Sequence, residues 1–283
     1  MWWSAVRPAT LAASVAPVLT GTAIALHQGD VRWGAGVGAL VVGVAMQLGV
    51  NFANDYSDFV RGADAVRVGP VRAASSGVVA PEHVRWAAVG AFGVAALAGL
   101  LLSIAVDLRL LAVGAACLLA GWLYTGGPRP YGYLGLGELF VFLFFGLVAT
   151  AGTVYVETGR LTPLAVLMAC AMGFLATAIL VLNNLRDIDT DAAAGKRTLA
   201  TRIGRTRTRW LLVALLTAAF AIPVVVSFSM PIALITLLAV PIAWSAVSIA
   251  LASTHPPSLV RALKRMAIAE LVYALLFALA TLL

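Results

Sequence analysis

Charge is what this sequence has least of. Only 11% of its 283 residues are Asp, Glu, Lys or Arg, against 62% hydrophobic ones, whereas a soluble domain carries about a quarter charged residues. That scarcity excludes an ordinary water-soluble globule and points to a bilayer. Cysteine is limited to Cys117 and Cys170. Both lie in apolar stretches and read as small buried hydrophobes, so no disulfide framework is implied. The three histidines, His27, His83 and His255, fall near the ends of expected helices with no shared spacing, which argues against a histidine-based metal or catalytic site. Only Arg7 precedes the first apolar run, and this start reads as a membrane span, not as a cleaved signal peptide.

What is present is apolar and long. A helix needs roughly 20 apolar residues to cross about 30 Å of hydrocarbon. Charge-free runs of that order cover Pro8–Gly29, Trp33–Asn54, Trp86–Val106, Leu110–Pro128, Leu139–Val156 and Leu161–Leu185. The uncharged stretch Trp210–Val260 is too long for one helix, is punctuated by Pro223 and by Ser227 to Pro231, and reads as two spans. A last span, from about Val260 to Leu282, carries Glu270 inside it. The expectation is an all-α membrane protein with nine transmembrane helices. With the N-terminus inside, sixteen of the 19 basic residues fall on inner loops, and only Arg32, Arg109 and Arg160 fall outside. The positive-inside rule therefore predicts a cytoplasmic N-terminus and an outer C-terminus. The net charge of +7 is mostly this topological signal. No soluble domain presents it to nucleic acid, so no nucleic-acid partner is expected.

The chain has four Asn and eight Asp. All the Asn and six of the Asp lie in two segments, NFANDYSDFVRGAD and NNLRDIDTDAAAGKR, each closing an apolar span on its cytoplasmic side. Asn51, Asn54, Asp55 and Asp58 are spaced i, i+3, i+4, i+7 and share one helical face, which Gln47 extends a turn deeper. Asn184, Asp187 and Asp191 repeat the i, i+3, i+7 pattern, and Asp189 points elsewhere. Asn51, Asn54, Asp58 and Gly62 fall on Asn184, Asp187, Asp191 and Gly195 at one constant offset, which suggests an internal duplication. Simple helix capping needs one polar residue at a terminus. These stripes run two turns into apolar sequence, where uncompensated carboxylates cost several kcal/mol. Acids gathered there ask for a cation, and Asp and Asn oxygens suit Mg²⁺, which commonly uses one or two carboxylates together with phosphate oxygens. Basic residues follow both clusters, with Arg67 and Arg72 after the first and Lys196 and Arg197 after the second, and these suit a phosphate.

Acidic clusters, Mg²⁺, basic loops and an apolar cavity together suggest an enzyme acting on a lipid diphosphate. Metal with Arg and Lys would stabilise charge developing on the leaving group, and an apolar bundle would keep water from the carbocation. Candidate aromatics for the cation are Phe52, Trp122, Tyr124, Phe140 and Phe144, each of which taken singly reads first as plain core packing. Glu270 is an intramembrane carboxylate and so a site candidate; a protonated or paired structural role stays open for it and for Glu138.

These residues resemble the UbiA superfamily of intramembrane prenyltransferases, with a similarity that covers nearly the whole chain. NDYSDFVRGAD, the GP and SG pairs between Gly69 and Gly77, YTGGPRPYGYLGLGELFVFLFFG and NNLRDIDTDAAAGKRTLATRIG are most similar to its MenA-like branch, which prenylates 1,4-dihydroxy-2-naphthoate in menaquinone synthesis. The resemblance implies nine helices around a central cavity open to cytoplasm and lipid, with a cytoplasmic cap formed by loops at about 59–82 and 192–209. It implies a single prenyltransferase domain over 1–283, here in two pseudo-repeated halves. It implies Mg²⁺-dependent transfer from a polyprenyl diphosphate to dihydroxynaphthoate with loss of CO₂ and diphosphate, giving demethylmenaquinol at the cell membrane. Carried over by position, Asn54, Asp58, Asp187 and Asp191 lead as Mg²⁺–diphosphate residues, with Asn51, Asp55 and Asn184 in support, and Arg67, Arg72, Lys196 and Arg197 as diphosphate contacts. Many members place a third acid where this chain has Gly62, with Asp64 two residues on, so the roles of Asp64 and Asp189 stay open. Rival readings are another acceptor (4-hydroxybenzoate, homogentisate or a haem) or, from a different class, a cation-coupled transporter.

Overall fold

The computed structural model describes residues 2, 6–61, 73–74 and 79–283. Its described residues form nine helical segments: α1 Pro8–His27, α2 Trp33–Val60, α3 Pro81–Ala105, α4 Leu110–Leu123, α5 Gly137–Thr158, α6 Pro163–Ala193, α7 Leu199–Val226, α8 Pro231–Ala252 and α9 Pro256–Leu282. Eight are long and apolar enough to cross a membrane, and α4 is a shorter apolar helix. The chain is a multi-pass membrane protein, because in hydrocarbon only such elements satisfy every backbone N–H and C=O internally.

Most boundaries follow the apolar runs, and the departures have local causes. The run at Leu110–Pro128 yields a helix of only 14 residues, about 21 Å long at 1.5 Å per residue. It stops because Thr125–Gly127 turn the chain back into the bundle, where Arg61 donates to the carbonyls of Thr125 (3.0 Å) and Gly127 (2.7 Å). Pro223 lies inside α7 and does not end it; the break falls at Ser227–Met230. The expected cap loop at 192–209 is mostly helical. It comprises the end of α6, a turn, and the start of α7, which kinks at Gly204 where φ is 77°. Most of the other expected cap loop, about 59–82, lies outside the described residues, as do Asp64, Arg67 and Arg72.

Lipid chains are as apolar as the helices, so association rests on close packing of small residues. α6 is the hub, packed against α7, α5, α9 and α1. Its inward face carries Ala165, Ala169, Ala171, Gly173, Ala176 and Ala178, all buried. Gly146 of α5 crosses α6 at Gly173 so closely that a Cβ there would fall onto the Gly173 backbone and the Ala169 carbonyl. Around this crossing α5 widens into i→i+5 turns over Phe142–Ala151, a local form concentrated at functional sites. The α3–α4 hairpin stands apart from this hub: α3 packs on α2, and α4 packs on α3 and α2 and makes no comparable contact with α5. An apolar chamber of about 790 Å³ lies between that hairpin and α1, α2, α5 and α6.

Replacing Gly146 by Ala should therefore strain two backbones at once and destabilise the bundle by about 1–3 kcal/mol, seen as a lowered unfolding temperature in detergent micelles. Gly152→Ala, where a Cβ meets nothing within 4 Å, should stay within about 0.5 kcal/mol of the parent.

Candidate active site

The two acid-bearing helices, α2 and α6, run unbroken to their ends and deliver their clusters to one small polar pocket. Asn54 and Asp58 enter from α2, and Asn183, Asn184, Asp187, Thr190 and Asp191 from α6. Tyr124, Thr125, Gly132 and Tyr133 close one side, and Lys196 and Thr198 another. Asn54, Tyr124 and Asn183 border both this pocket and the apolar chamber, so polar head and greasy body meet along a seam.

The centre is an ammonium group shared by α2 and α6. Lys196 Nζ lies 2.6 Å from Asp58 Oδ1 and 3.8 Å from Asp191 Oδ1, with the Asp58 side chain 1% exposed. The end of α6 fixes this placement. Gly195 takes φ 73°, its N–H donates to Ala192 O (3.1 Å), and the Lys196 N–H donates to Asp191 O (2.8 Å). This is the left-handed Schellman closure that suits glycine, and it returns the chain so that Lys196 faces Asp191.

Tyr133 completes the centre. Its hydroxyl donates to Asp58 Oδ1 at 2.7 Å, and its ring lies under Lys196 Nζ (4.7 Å) and the Arg61 guanidinium (5.0 Å). Burial first, and the Asp58 charge second, push the Tyr133 phenol above its ordinary range. It is therefore a neutral donor at any physiological pH. The Tyr133 carbonyl accepts from the Arg197 N–H at 3.1 Å, tying its loop to the one carrying Lys196. On α6, Arg186 grips Asp187 through Nε–Oδ1 (2.7 Å) and Nη2–Oδ2 (2.6 Å). Asn184 donates to Glu138 Oε1 at 3.0 Å.

The structure divides the residues expected from sequence into two sets. Asn54, Asp58, Asn184, Asp187, Asp191 and Lys196 converge on the pocket, and Tyr124, Phe140 and Phe144 line the chamber beside it. Tyr131 stacks on Phe140 at 4.1 Å and donates its hydroxyl to Ala120 O at 2.8 Å. The remaining candidates are occupied elsewhere. Asn51 donates to Val6 O (3.0 Å) and Thr10 Oγ1 (3.1 Å) and accepts from Gln47 (3.1 Å), so its amide fastens α2 to α1. Asp55 accepts from the Ala73 N–H at 2.9 Å and anchors the segment after α2. Phe52 packs edge-on against Trp2 and in a core with Ala73, Ala74 and Phe92, and Trp122 stands against Phe92, largely exposed. Arg197 serves through its backbone while its side chain is exposed. Asp189 pairs with Arg205 on the surface (2.5 Å). Glu270 is fully buried and borders neither cavity, and its carboxyl has no hydrogen bond among the described residues.

Tyr133, Arg186 and Asn183 belong to the site without having been singled out from sequence. The signal for Tyr133 lay in YTGGPRPYGYLG, a tyrosine-rich turn between apolar spans. For Arg186 it was a cation inside the acid-rich segment, read as a topological charge.

The comparisons fit this geometry. The sequence matches the UbiA prenyltransferase family over residues 14–271. It is 44% identical over 274 residues to the 1,4-dihydroxy-2-naphthoate octaprenyltransferase of Mycobacterium tuberculosis H37Rv, covering 97% of this chain and 94% of that one. It is 38% identical over 215 residues to the enzyme of the same name from Escherichia coli K12, covering 74% and 70%. Among solved structures, a UbiA homolog from Aeropyrum pernix K1 superposes with a TM-score of 0.68 at 14% identity, over 100% of this chain and 98% of that one. A UbiA homolog from Archaeoglobus fulgidus bound to GPP and Mg²⁺ gives 0.65 at 13%, over 98% and 99%; at such identities the likeness speaks to the fold.

Asp58→Ala and Asp191→Ala should each lower prenyl transfer at saturating Mg²⁺ by about 100-fold or more, the scale of losing a group that stabilises developing charge. Asp189→Ala should stay within about twofold, as a surface pair contributes little. Product formation by purified variants, followed by mass spectrometry, checks both; near-normal turnover of either pocket variant would sink the assignment.

Proposed function

The chain belongs to the UbiA prenyltransferase family, and we propose that it transfers a polyprenyl group from polyprenyl diphosphate to 1,4-dihydroxy-2-naphthoate, with loss of CO₂ and diphosphate. The observation that carries this reading is the meeting of the two acid clusters, from α2 and α6, in one polar pocket that opens onto an apolar chamber of about 790 Å³. The identity to the mycobacterial naphthoate enzyme along almost the full length of both chains supports the acceptor.

Mg²⁺ fits the donor set. Among the described residues no three acidic, histidine or cysteine side chains form a ready metal cage, and Mg²⁺ does not ask for one. It binds through one or two carboxylates and takes its other oxygens from phosphate and water. The polar pocket presents three carboxylates, with Lys196 among them and Arg186 on Asp187, which leaves an excess of negative charge that a divalent cation would offset. Asn54, Asp58, Asp187 and Asp191 would hold it. When bound, the metal would neutralise charge appearing on the departing diphosphate.

The chain's own groups account for the rest. Lys196, which lines the pocket, would contact the diphosphate; Arg67 and Arg72, the other expected contacts on the first cluster's side, lie outside the described residues. Tyr133 and Arg186 hold Asp58 and Asp187 in place. Tyr124, Tyr131, Phe140 and Phe144 wall the chamber at the seam, excluding water from the allylic cation and offering aromatic faces to it. The allylic C–O bond breaks with its electron pair leaving on diphosphate, and the ring carbon bearing the carboxylate forms the new C–C bond. Departure of CO₂ returns its bonding pair to the ring, so no proton need be removed by the protein. No histidine borders either cavity, in keeping with a reaction that needs no such base. We also read the chain as one domain in two duplicated halves, oriented in the cell membrane with the polar pocket toward the cytoplasm.

A chelator should abolish prenyl transfer and added Mg²⁺ restore it, which a cation-coupled transporter would not show. Offered dihydroxynaphthoate, 4-hydroxybenzoate and homogentisate together with one polyprenyl diphosphate, the enzyme should give the naphthoate product in large excess by mass spectrometry; preference for another acceptor would overturn the acceptor and leave the family.

A further inference from the structure

The two cavities carry opposite charge. The polar pocket is lined by Asp58, Asp187 and Asp191, and the charged residues lining the apolar chamber are Arg7, Arg186 and Lys264, all cationic. Arg186 is the most buried of the three, 7% exposed, and it stands where the cavities touch. Its neighbour Asn183 borders both, and Asp187, which it holds, borders the polar pocket. A guanidinium has five N–H groups. Nε and Nη2 are engaged by Asp187 and Asn183, whereas Nη1 has no hydrogen bond among the described residues.

We propose that Arg186 is the residue that selects a carboxylate-bearing acceptor, its Nη1 edge receiving the carboxylate while its opposite edge keeps hold of Asp187. This rests on the naphthoate reading above and adds to it the residue and the physical reason for the preference. An anion entering an apolar chamber loses its hydration and is held only where a cation with free donors compensates. With Nε and Nη2 engaged, both Nη1 N–H groups remain for it, in an orientation that the rigid guanidinium fixes and a flexible ammonium does not. Placing the carboxylate on Arg186 sets the adjoining ring carbon beside the seam of Asn54, Tyr124 and Asn183, where the prenyl C1 would leave the polar pocket. An acceptor without the carboxylate leaves Nη1 desolvated and unpaired, and a site built for a polar group rejects the ligand that lacks it.

The test uses the full chain in lipid nanodiscs, without metal or prenyl diphosphate, and follows quenching of tryptophan fluorescence by 1,4-dihydroxy-2-naphthoate and by naphthalene-1,4-diol. Arg186→Gln should weaken naphthoate binding about 30-fold and diol binding less than about twofold. Arg186→Lys, keeping the charge without the fork, should lose about tenfold for naphthoate alone, and it carries the test if the Gln variant does not fold. Equal loss for both ligands would reduce Arg186 to a structural role and overturn the inference. So would unchanged naphthoate binding together with a raised KM for prenyl diphosphate, which would make Arg186 a diphosphate ligand. Neither result touches the family's chemistry. Wild-type protein that fails to bind naphthoate yet prenylates an uncharged acceptor would instead overturn the acceptor assignment, and the inference with it.

Discussion

Three carboxylates facing one another at the edge of a membrane repel, and the site exists because cations are held among them. Lys196 stands between Asp58 of α2 and Asp191 of α6, and Arg186 sits on Asp187. A buried carboxylate without a partner costs several kcal/mol, so these cations offset part of the cost of gathering the acids. The same like-charge pressure would favour a divalent ion in the pocket, as the proposed function requires. The repulsion that threatens the fold and the affinity that serves the reaction have one source.

The two groups that hold Asp58, the Lys196 ammonium and the Tyr133 hydroxyl, are placed by backbone geometry some distance from the chemistry. Lys196 depends on the left-handed turn at Gly195 that closes α6. Tyr133 depends on the early end of α4, on Arg61 holding the carbonyls of Thr125 and Gly127, and on the Arg197 N–H. Three segments far apart in sequence, at 61, 124–136 and 194–198, thus converge on Asp58. The helices supply the acids, and the turns between them supply what controls the acids.

How much of this was legible in the sequence follows from that division. Helical spacing places Asn51, Asn54, Asp55 and Asp58 within one broad stripe, and α2 does carry them in one unbroken helix. A stripe about 100° wide can still face two neighbours. Asn51 turns to α1 and Asp55 to Ala73, a difference that periodicity cannot resolve because it depends on where those segments lie. Asp58 and Asp191 were legible because each closes its helix next to basic sequence. Tyr133 was not, since nothing local marks a loop tyrosine as a donor to a residue 75 positions away. For Glu270, an acid deep in an apolar span, periodicity left a site and a structural role open, and the structure seals it among helices away from both cavities. The nine spans were readable from hydropathy, but α4 came out short because a turn, not the end of apolar sequence, decided its length.

The gap between α4 and α5 has a consequence beyond architecture. The chamber is bounded there by two helices that make no comparable contact with each other, so in a bilayer lipid acyl chains would complete its wall. A long-chain substrate dissolved in the bilayer can then arrive by diffusion in two dimensions, with its tail never meeting water, and the product can leave by the same side. Bilayer thickness and fluidity become part of the shape of the catalyst, and a detergent micelle changes that shape without altering a single residue.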